Sequence, residues 1–296
     1  MKILGKSKFD KNIYDKINKN ADGIEIHLAE EFLNNDLSYD KILDLKYVDE
    51  VPIYVIHMPL VKGNDVNIET TQGLNILTRV AKLADYITRK QKHNVLIVVH
   101  LSTDVNKLKA IGIYDKIVFK LYQIVCNYSK IEIGVENVTL LHQDDDNFSF
   151  ENCLFDNIEL VKDCNHPRIG TVLDTCHILQ NDAILNYLKP FLYKDYFKDE
   201  KEFKYDMETY FKENQPYIKL IHLANMNYNG LMKNHGTSFT KKDLDLLKYI
   251  LSLYKKYEYN CMITLEVREN DYSNAKNFQE TLKIVNYILK KQGLND

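Results

Sequence analysis

The sequence contains no tryptophan, and only four of its 39 basic residues are arginine: Arg79, Arg89, Arg168 and Arg268. Arginine is the side chain that clamps phosphate through parallel N–H donors, and no polybasic block takes its place. With a formal net charge of −3, generic binding to nucleic acid or to an anionic membrane finds no support. No run of about 18 apolar residues occurs, so no membrane-spanning helix is expected. The opening Met1-Lys2-Ile3-Leu4-Gly5-Lys6 is too short an apolar run for a signal peptide. Cysteine is sparse and odd in number: Cys126, Cys153, Cys164, Cys176 and Cys261, without a Cys-x-x-Cys pair. This speaks against a disulfide framework or a thiolate zinc site, and for reduced thiols in the cytoplasm. No stretch rich in proline, glycine or serine marks a linker, so residues 1–296 are expected to form a single domain.

What is present is one repeated pattern. A short β-branched run is followed by a longer amphipathic segment, then by another short run. Strands are expected at about 2–5, 23–28, 53–57, 95–100, 131–136, 169–174, 218–223 and 262–267. Helices are expected over Thr71–Gln91, Ile113–Tyr128, Phe150–Cys164, Lys242–Tyr257 and Asn274–Lys291. The strands are continuous apolar runs, such as Val95-Leu96-Ile97-Val98-Val99, as in parallel strands covered on both faces. Eight of them alternating with helices predict an α/β fold, a single (β/α)8 barrel. A doubly wound open sheet is the runner-up, although Gly5-Lys6-Ser7 is no dinucleotide fingerprint. A helical excursion at about 178–216, too long for a simple crossover, reads as a solvated segment or as a lid over the active face.

The informative residues stand where strands end. Six successive apolar runs terminate in His57, His100, Glu136, Asp174, His222 and Glu266, with His177 one turn past Asp174. In a barrel such ends converge on one face, where active sites are built. Imidazole and carboxylate are ligands for zinc, manganese and related ions, and clustered charges need partners or a metal to offset desolvation. Each residue alone would be an ordinary strand exit; six in succession predict a metal site. Glu25 and His27 share one side of strand two, Arg268 lies two past Glu266, and His235 follows strand seven; these join the same face. His93, His142 and His166 read as surface residues, and Asp144-Asp145-Asp146 as a solvated loop.

On these residues the chain resembles the xylose isomerase-like barrel superfamily. That group holds sugar and sugar-phosphate isomerases and epimerases, and also endonuclease IV (AP endonuclease family 2), a phosphodiesterase of DNA repair. Asp174-Thr175-Cys176-His177 looks like the Asp-Thr-Cys-His signature of endonuclease IV, and Gly134-Val135-Glu136-Asn137 like the superfamily's Glu-Asn motif. The resemblance implies a metal set of Glu136, Asp174, His222 and Glu266, with Glu136 and Glu266 also relaying a proton and His177 holding a substrate oxygen. The endonuclease-like version adds His57 and His100 for a second ion. It adds His177, His235 and an aspartate two residues earlier for a third; Lys233 stands there instead, and as an ammonium would meet a substrate phosphate or carboxylate. Asn137, Glu25, His27 and Arg268 complete the expected substrate pocket.

The leading expectation is therefore a divalent-metal enzyme, with one to three ions of zinc or manganese. It would isomerise or epimerise a small sugar, polyol or sugar phosphate. The alternative is an endonuclease IV-like phosphodiesterase with nucleic acid as partner. Two acidic residues after strand two, Glu30 and Glu31, oppose that version because they would repel a phosphate backbone. A third reading is a barrel that binds a ligand without catalysis. Oligomeric state is open.

Overall fold

The computed structural model describes residues 1–8, 21–28, 51–61, 64–66, 68–139, 141–144, 147–150, 155–192, 206–226, 235–269 and 274–293. Eight parallel strands close into a barrel: β1 (Ile3–Lys8), β2 (Gly23–His27), β3 (Ile53–His57), β4 (Val95–His100), β5 (Ile131–Glu136), β6 (Ile169–Asp174), β7 (Ile218–Leu223) and β8 (Met262–Leu265). Closure is direct, since β1 pairs β8 with Ile3 opposite Ile263; the open sheet is thereby ruled out. The helices among the described residues are α1 (Thr71–Gln91), α2 (Val105–Ala110), α3 (Tyr114–Asn127), α4 (Asp156–Cys164), α5 (Thr175–Leu192), α6 (Met207–Asn214), α7 (Leu244–Lys256) and α8 (Lys276–Gln292).

The strands are apolar on both sides for two different reasons. Outward residues such as Ile26, Ile56, Val99 and Ile133 pack against the helices. Inward residues Leu4, Val55, Leu96, Val98, Val172 and Leu220 form a separate plug inside the barrel. Gly134 belongs to this inner layer: a Cβ there would lie 2.4 Å from Val172 Cγ2, far inside contact distance. Strand side chains repeat with period two. The next inward positions above Leu4, Val55, Val98, Gly134, Val172 and Leu220 are therefore Lys6, His57, His100, Glu136, Asp174 and His222. The apolar floor and the polar ring above it are one alternation read upward.

Helix α1 shows the local logic. Thr70 caps it by accepting from Gly73 N at 2.9 Å, Lys92 closes it in the left-handed region, and Ile76, Leu77, Val80, Ala81, Leu83, Ala84 and Ile87 bury one stripe. Asn277 N and Phe278 N, in the first turn of α8, donate to Glu269. Arg168 donates to the carbonyls of Val125, Tyr128 and Ile131 around the end of α3; one of the four arginines thus serves the fold.

Three expectations are corrected. Strand one runs to Lys8 rather than residue 5, because polar Lys6 faces a polar centre and need not extend an apolar run. The helix expected from Phe150 begins at Asp156; Asn147–Phe150 instead pairs antiparallel with Leu141–Asp144. The alternation Asn147-Phe148-Ser149-Phe150 carries the period-two signal of a strand. That hairpin also takes Asp144 out of the expected loop, while Asp145 and Asp146 lie outside the described residues. Of the expected 178–216 excursion, α5 and α6 are described; residues 193–205, and with them any lid, lie outside. Cys126, Cys164, Cys176 and Cys261 are free thiols, and Cys153 lies outside the described residues. Among the described residues no helix is long and apolar enough to cross a membrane.

Candidate metal centre

The polar ring at the C-terminal ends of the strands is almost dry. Glu25, Asp174 and His222 are 0% exposed, Glu136 and His57 2%, and His100 7%. Buried charges and imidazoles at this density require close partners, and each imidazole is set by what its far nitrogen touches.

His222 on β7 donates Nε2–H to Glu25 Oε2 at 2.9 Å. Its Nδ1 is buried without a hydrogen-bond partner. Around that nitrogen stand Glu136 Oε1 at 3.2 Å, Glu266 Oε2 at 3.5 Å and Asp174 Oδ2 at 3.9 Å. His235 comes from the short hairpin Asn225–Met226/His235–Thr237. It reaches Asp174 Oδ2 with Nε2 at 3.3 Å and Glu266 Oε1 with Nδ1 at 3.8 Å.

A second group meets at the other oxygen of Glu136. His57 Nδ1–H donates to the carbonyl of Met58 at 2.9 Å, since a carbonyl only accepts. That leaves His57 Nε2 3.4 Å from Glu136 Oε2, with His100 Nε2 at 2.9 Å from the same atom. Glu136 is thus shared, one oxygen to each group. His177 donates Nδ1–H to Asn137 O at 2.7 Å and its backbone N–H to Asp174 Oδ1 at 2.8 Å.

The donor set fits a divalent ion. A tetrahedral site with ligand bonds of about 2.0–2.2 Å has neighbouring ligands about 3.3–3.6 Å apart, and the contacts of His222 Nδ1 straddle that spacing. An acceptor nitrogen facing three carboxylates needs a cation between them. Four ligand groups converge among the described residues: Asp174/His222/Glu266, Glu136/Asp174/His177, His57/His100/Glu136 and Asp174/Cys176/His235, each with its ligand atoms within 4.8 Å.

Without metal, protons take that role. Burial by itself would lower the His222 and His235 imidazoles, but Glu136 and Glu25 around the first, and Asp174 and Glu266 around the second, raise both above the ordinary value. Burial would raise the Glu136 carboxyl, yet His222 and His100 hold it well below the usual carboxylate range. Asp174 is likewise depressed against its burial by His177 and His235, and Glu266 by Lys6, His235 and His222.

Most residues singled out from the sequence meet here; Asn137, Arg268 and His27 make other contacts. Asn137 brackets the end of β6: its Oδ1 accepts from Asp174 N at 2.7 Å and its Nδ2 donates to Asp174 O at 3.2 Å, so its amide orients Asp174. Arg268 is exposed, and its backbone N–H donates to Gly236 O. His27 packs edge-on against His57 at 5.1 Å. Lys233 lies outside the described residues, as does the side chain of His142. His93, expected at the surface, is half-buried and stacks on Tyr54 at 4.3 Å, while His166 lies edge-on to Tyr122.

One residue escaped the sequence reading. Lys6 on β1 donates Nζ to Glu266 Oε2 at 2.8 Å and lies 3.4 Å from Glu25 Oε1, with its side chain 11% exposed. Its signal was the spacing of two from Leu4, hidden because the apolar run stops before it.

Over residues 21–288 the chain matches the xylose isomerase-like TIM barrel family. No curated protein matches it by sequence. Among solved structures, a D-tagatose 3-epimerase-like protein is 16% identical, with 99% of this chain and 100% of that chain covered and a TM-score of 0.59. A 3-keto-D-glucoside 4-epimerase from E. coli is 13% identical, with 98% and 99% covered and a TM-score of 0.58. A xylose isomerase domain protein from Planctomyces limnophilus is 11% identical, with 98% and 97% covered and a TM-score of 0.64. At these identities the likeness is one of fold.

Proposed function

Because the chain belongs to the xylose isomerase-like TIM barrel family, we propose that it is a divalent-metal enzyme acting on a small sugar, polyol or sugar phosphate. The reaction is isomerisation or epimerisation by proton transfer beside a carbonyl. The observation that carries this reading is the acceptor nitrogen of His222 facing Glu136, Asp174 and Glu266 at 3.2–3.9 Å. Those four residues would hold the ion, zinc or manganese by ligand type. When bound, it supplies Lewis acidity to a carbonyl and its neighbouring hydroxyl.

The rest is done by the chain. Glu136 and Glu266 stand on β5 and just past β8, with β6 and β7 between them, so they approach a substrate from two sides. One takes the proton beside the carbonyl and the other returns one. Their depressed carboxyls supply the ionised base directly, and the partner that returns a proton must first take one up from solvent. His177, with Nδ1–H committed to Asn137 O, turns its Nε2 edge to a substrate oxygen. The dry apolar floor keeps water out from below and strengthens each interaction in the ring. Lys233 and Arg268 are assigned to an anionic group of the substrate. The test is exchange of the substrate's α-proton with solvent, across a panel of ketoses, aldoses and their phosphates. Glu136→Gln and Glu266→Gln should each abolish it; exchange that persists removes that residue from the mechanism.

A second reading rests on the group His57, His100 and Glu136. Two ions sharing Glu136 would suit hydrolysis of a phosphodiester, as two-metal sites clamp attacking and leaving oxygens. Metal content of wild type and His57→Ala/His100→Ala, together with cleavage of an abasic-site duplex, separates the readings. One ion per chain, unchanged in the variant and without cleavage, supports the isomerase. A second ion lost in the variant, with cleavage by wild type, supports the hydrolase.

A further inference from the structure

Lysine is almost never buried without partners, and Lys6 is enclosed by the two carboxylates of Glu25 and Glu266. Glu25 in turn accepts from His222, and His222 Nδ1 faces Glu266. Lys6, Glu25, His222 and Glu266 therefore form a closed ring of contacts, and an ammonium sits inside a centre whose ligands call for a cation.

The charge balance gives this a consequence. Glu25, Glu136, Asp174 and Glu266 bring four negative charges, and Lys6 one positive. The histidines are neutral when they ligate a metal, so a divalent ion leaves the loaded centre with a single negative charge. Without Lys6 it would carry two. Metal uptake needs no such help, because a more negative site attracts a divalent ion more strongly. The group that does need it is an anion arriving at the loaded centre, such as a substrate that has lost the proton beside its carbonyl. At the few-ångström distances of a compact site, one charge alters such an encounter by at least about tenfold.

We propose that Lys6 is a positioning residue that sets the charge of the centre: it neutralises Glu25 and holds Glu266 Oε2, so that the metal-loaded barrel accepts an anionic oxygen ligand. This rests on the metal-dependent reading above. It also requires metal affinity and anion affinity to move in opposite directions, which a purely structural lysine would not produce.

The experiment titrates full-length protein with Mn2+, then titrates the Mn2+-saturated protein with acetohydroxamate, a small anionic oxygen chelator. Lys6→Met should bind Mn2+ at least as tightly as wild type and acetohydroxamate about 10-fold more weakly. Glu25→Gln keeps an acceptor for His222 while removing one negative charge; at saturating Mn2+ it should bind acetohydroxamate about 10-fold more tightly. Lys6→Met/Glu25→Gln should return close to wild type, and Lys6→Arg should stay there. Equal acetohydroxamate affinity in wild type and Lys6→Met, or joint loss of metal and chelator, overturns the proposal. Should Lys6→Met fail to fold, Glu25→Gln decides by itself, and no gain in chelator affinity overturns the proposal. A wild type that takes up no Mn2+ overturns the metal reading and this proposal together; normal uptake with unresponsive variants overturns the role of Lys6 alone.

Discussion

Glu25 and His222 stand on strands at opposite sides of the barrel's closing seam and meet at 2.9 Å, both fully buried. The carboxylate can only accept, so the imidazole donates through Nε2 and presents its other nitrogen to Glu136, Asp174 and Glu266. The orientation of the proposed ligand His222 is thus decided by a residue outside the proposed ligand set.

Removing that acceptor should loosen the metal. Glu25→Ala is expected to weaken Mn2+ or Zn2+ binding about 10–100-fold, because His222 loses both its fixed tautomer and its fixed angle. Isothermal titration of the two proteins reads the difference; affinities within a factor of about 2 would mean that the contact does not orient the ligand.

The metal-free protein should lose stability on the alkaline side. His222 and His235 have folded values above the ordinary one. Their contribution is complete below about pH 6.5 and is lost as pH rises through the folded values. Glu25, Glu136, Asp174 and Glu266 are depressed, so theirs is complete above about pH 4 and fades only on acidification. Melting temperature in a chelator should therefore fall as pH rises above about 6.5. Added Mn2+ should flatten that limb, since the ion replaces the protons. Parallel curves with and without Mn2+ would contradict this.

Asn137 should matter to stability through Asp174. Both of its amide ends are committed to the backbone of that residue, and Asn137→Ala would leave a buried N–H and C=O without them. A loss of about 2 kcal/mol in denaturant unfolding is expected, accompanied by weaker metal binding as Asp174 loses its bracket.

Gly134 should tolerate a methyl group only if Val172 shrinks. Gly134→Ala places a Cβ 2.4 Å from Val172 Cγ2 and should cost about 1–3 kcal/mol. Val172→Ala in the same chain should recover much of it, giving a favourable coupling in a double-mutant cycle.

The barrel was legible because its strands are apolar on both faces and regularly spaced, and the ring was legible because each run stops at a metal-ligand residue type. Lys6 was lost for the converse reason: nothing apolar leads up to it past Leu4, and its partner Glu266 is 260 residues away. Phe150 reads as the start of the helix that follows, since an isolated apolar residue near a helical stretch looks like its first turn until the alternation before it is weighed. The grip of the Asn137 amide on Asp174 was not legible, because the register that places β6 beside β5 decides it and no local pattern encodes that.

Among the described residues, the plug of Leu4, Val55, Leu96, Val98, Val172 and Leu220 closes the centre from below, like the base of a vessel. Whatever reaches the carboxylates must pass the ends of the strands, and so must whatever leaves. With the floor closed among the described residues, stripping by a chelator, refilling by an ion and escape of a captured proton should all slow together when the rim at the strand ends is crowded.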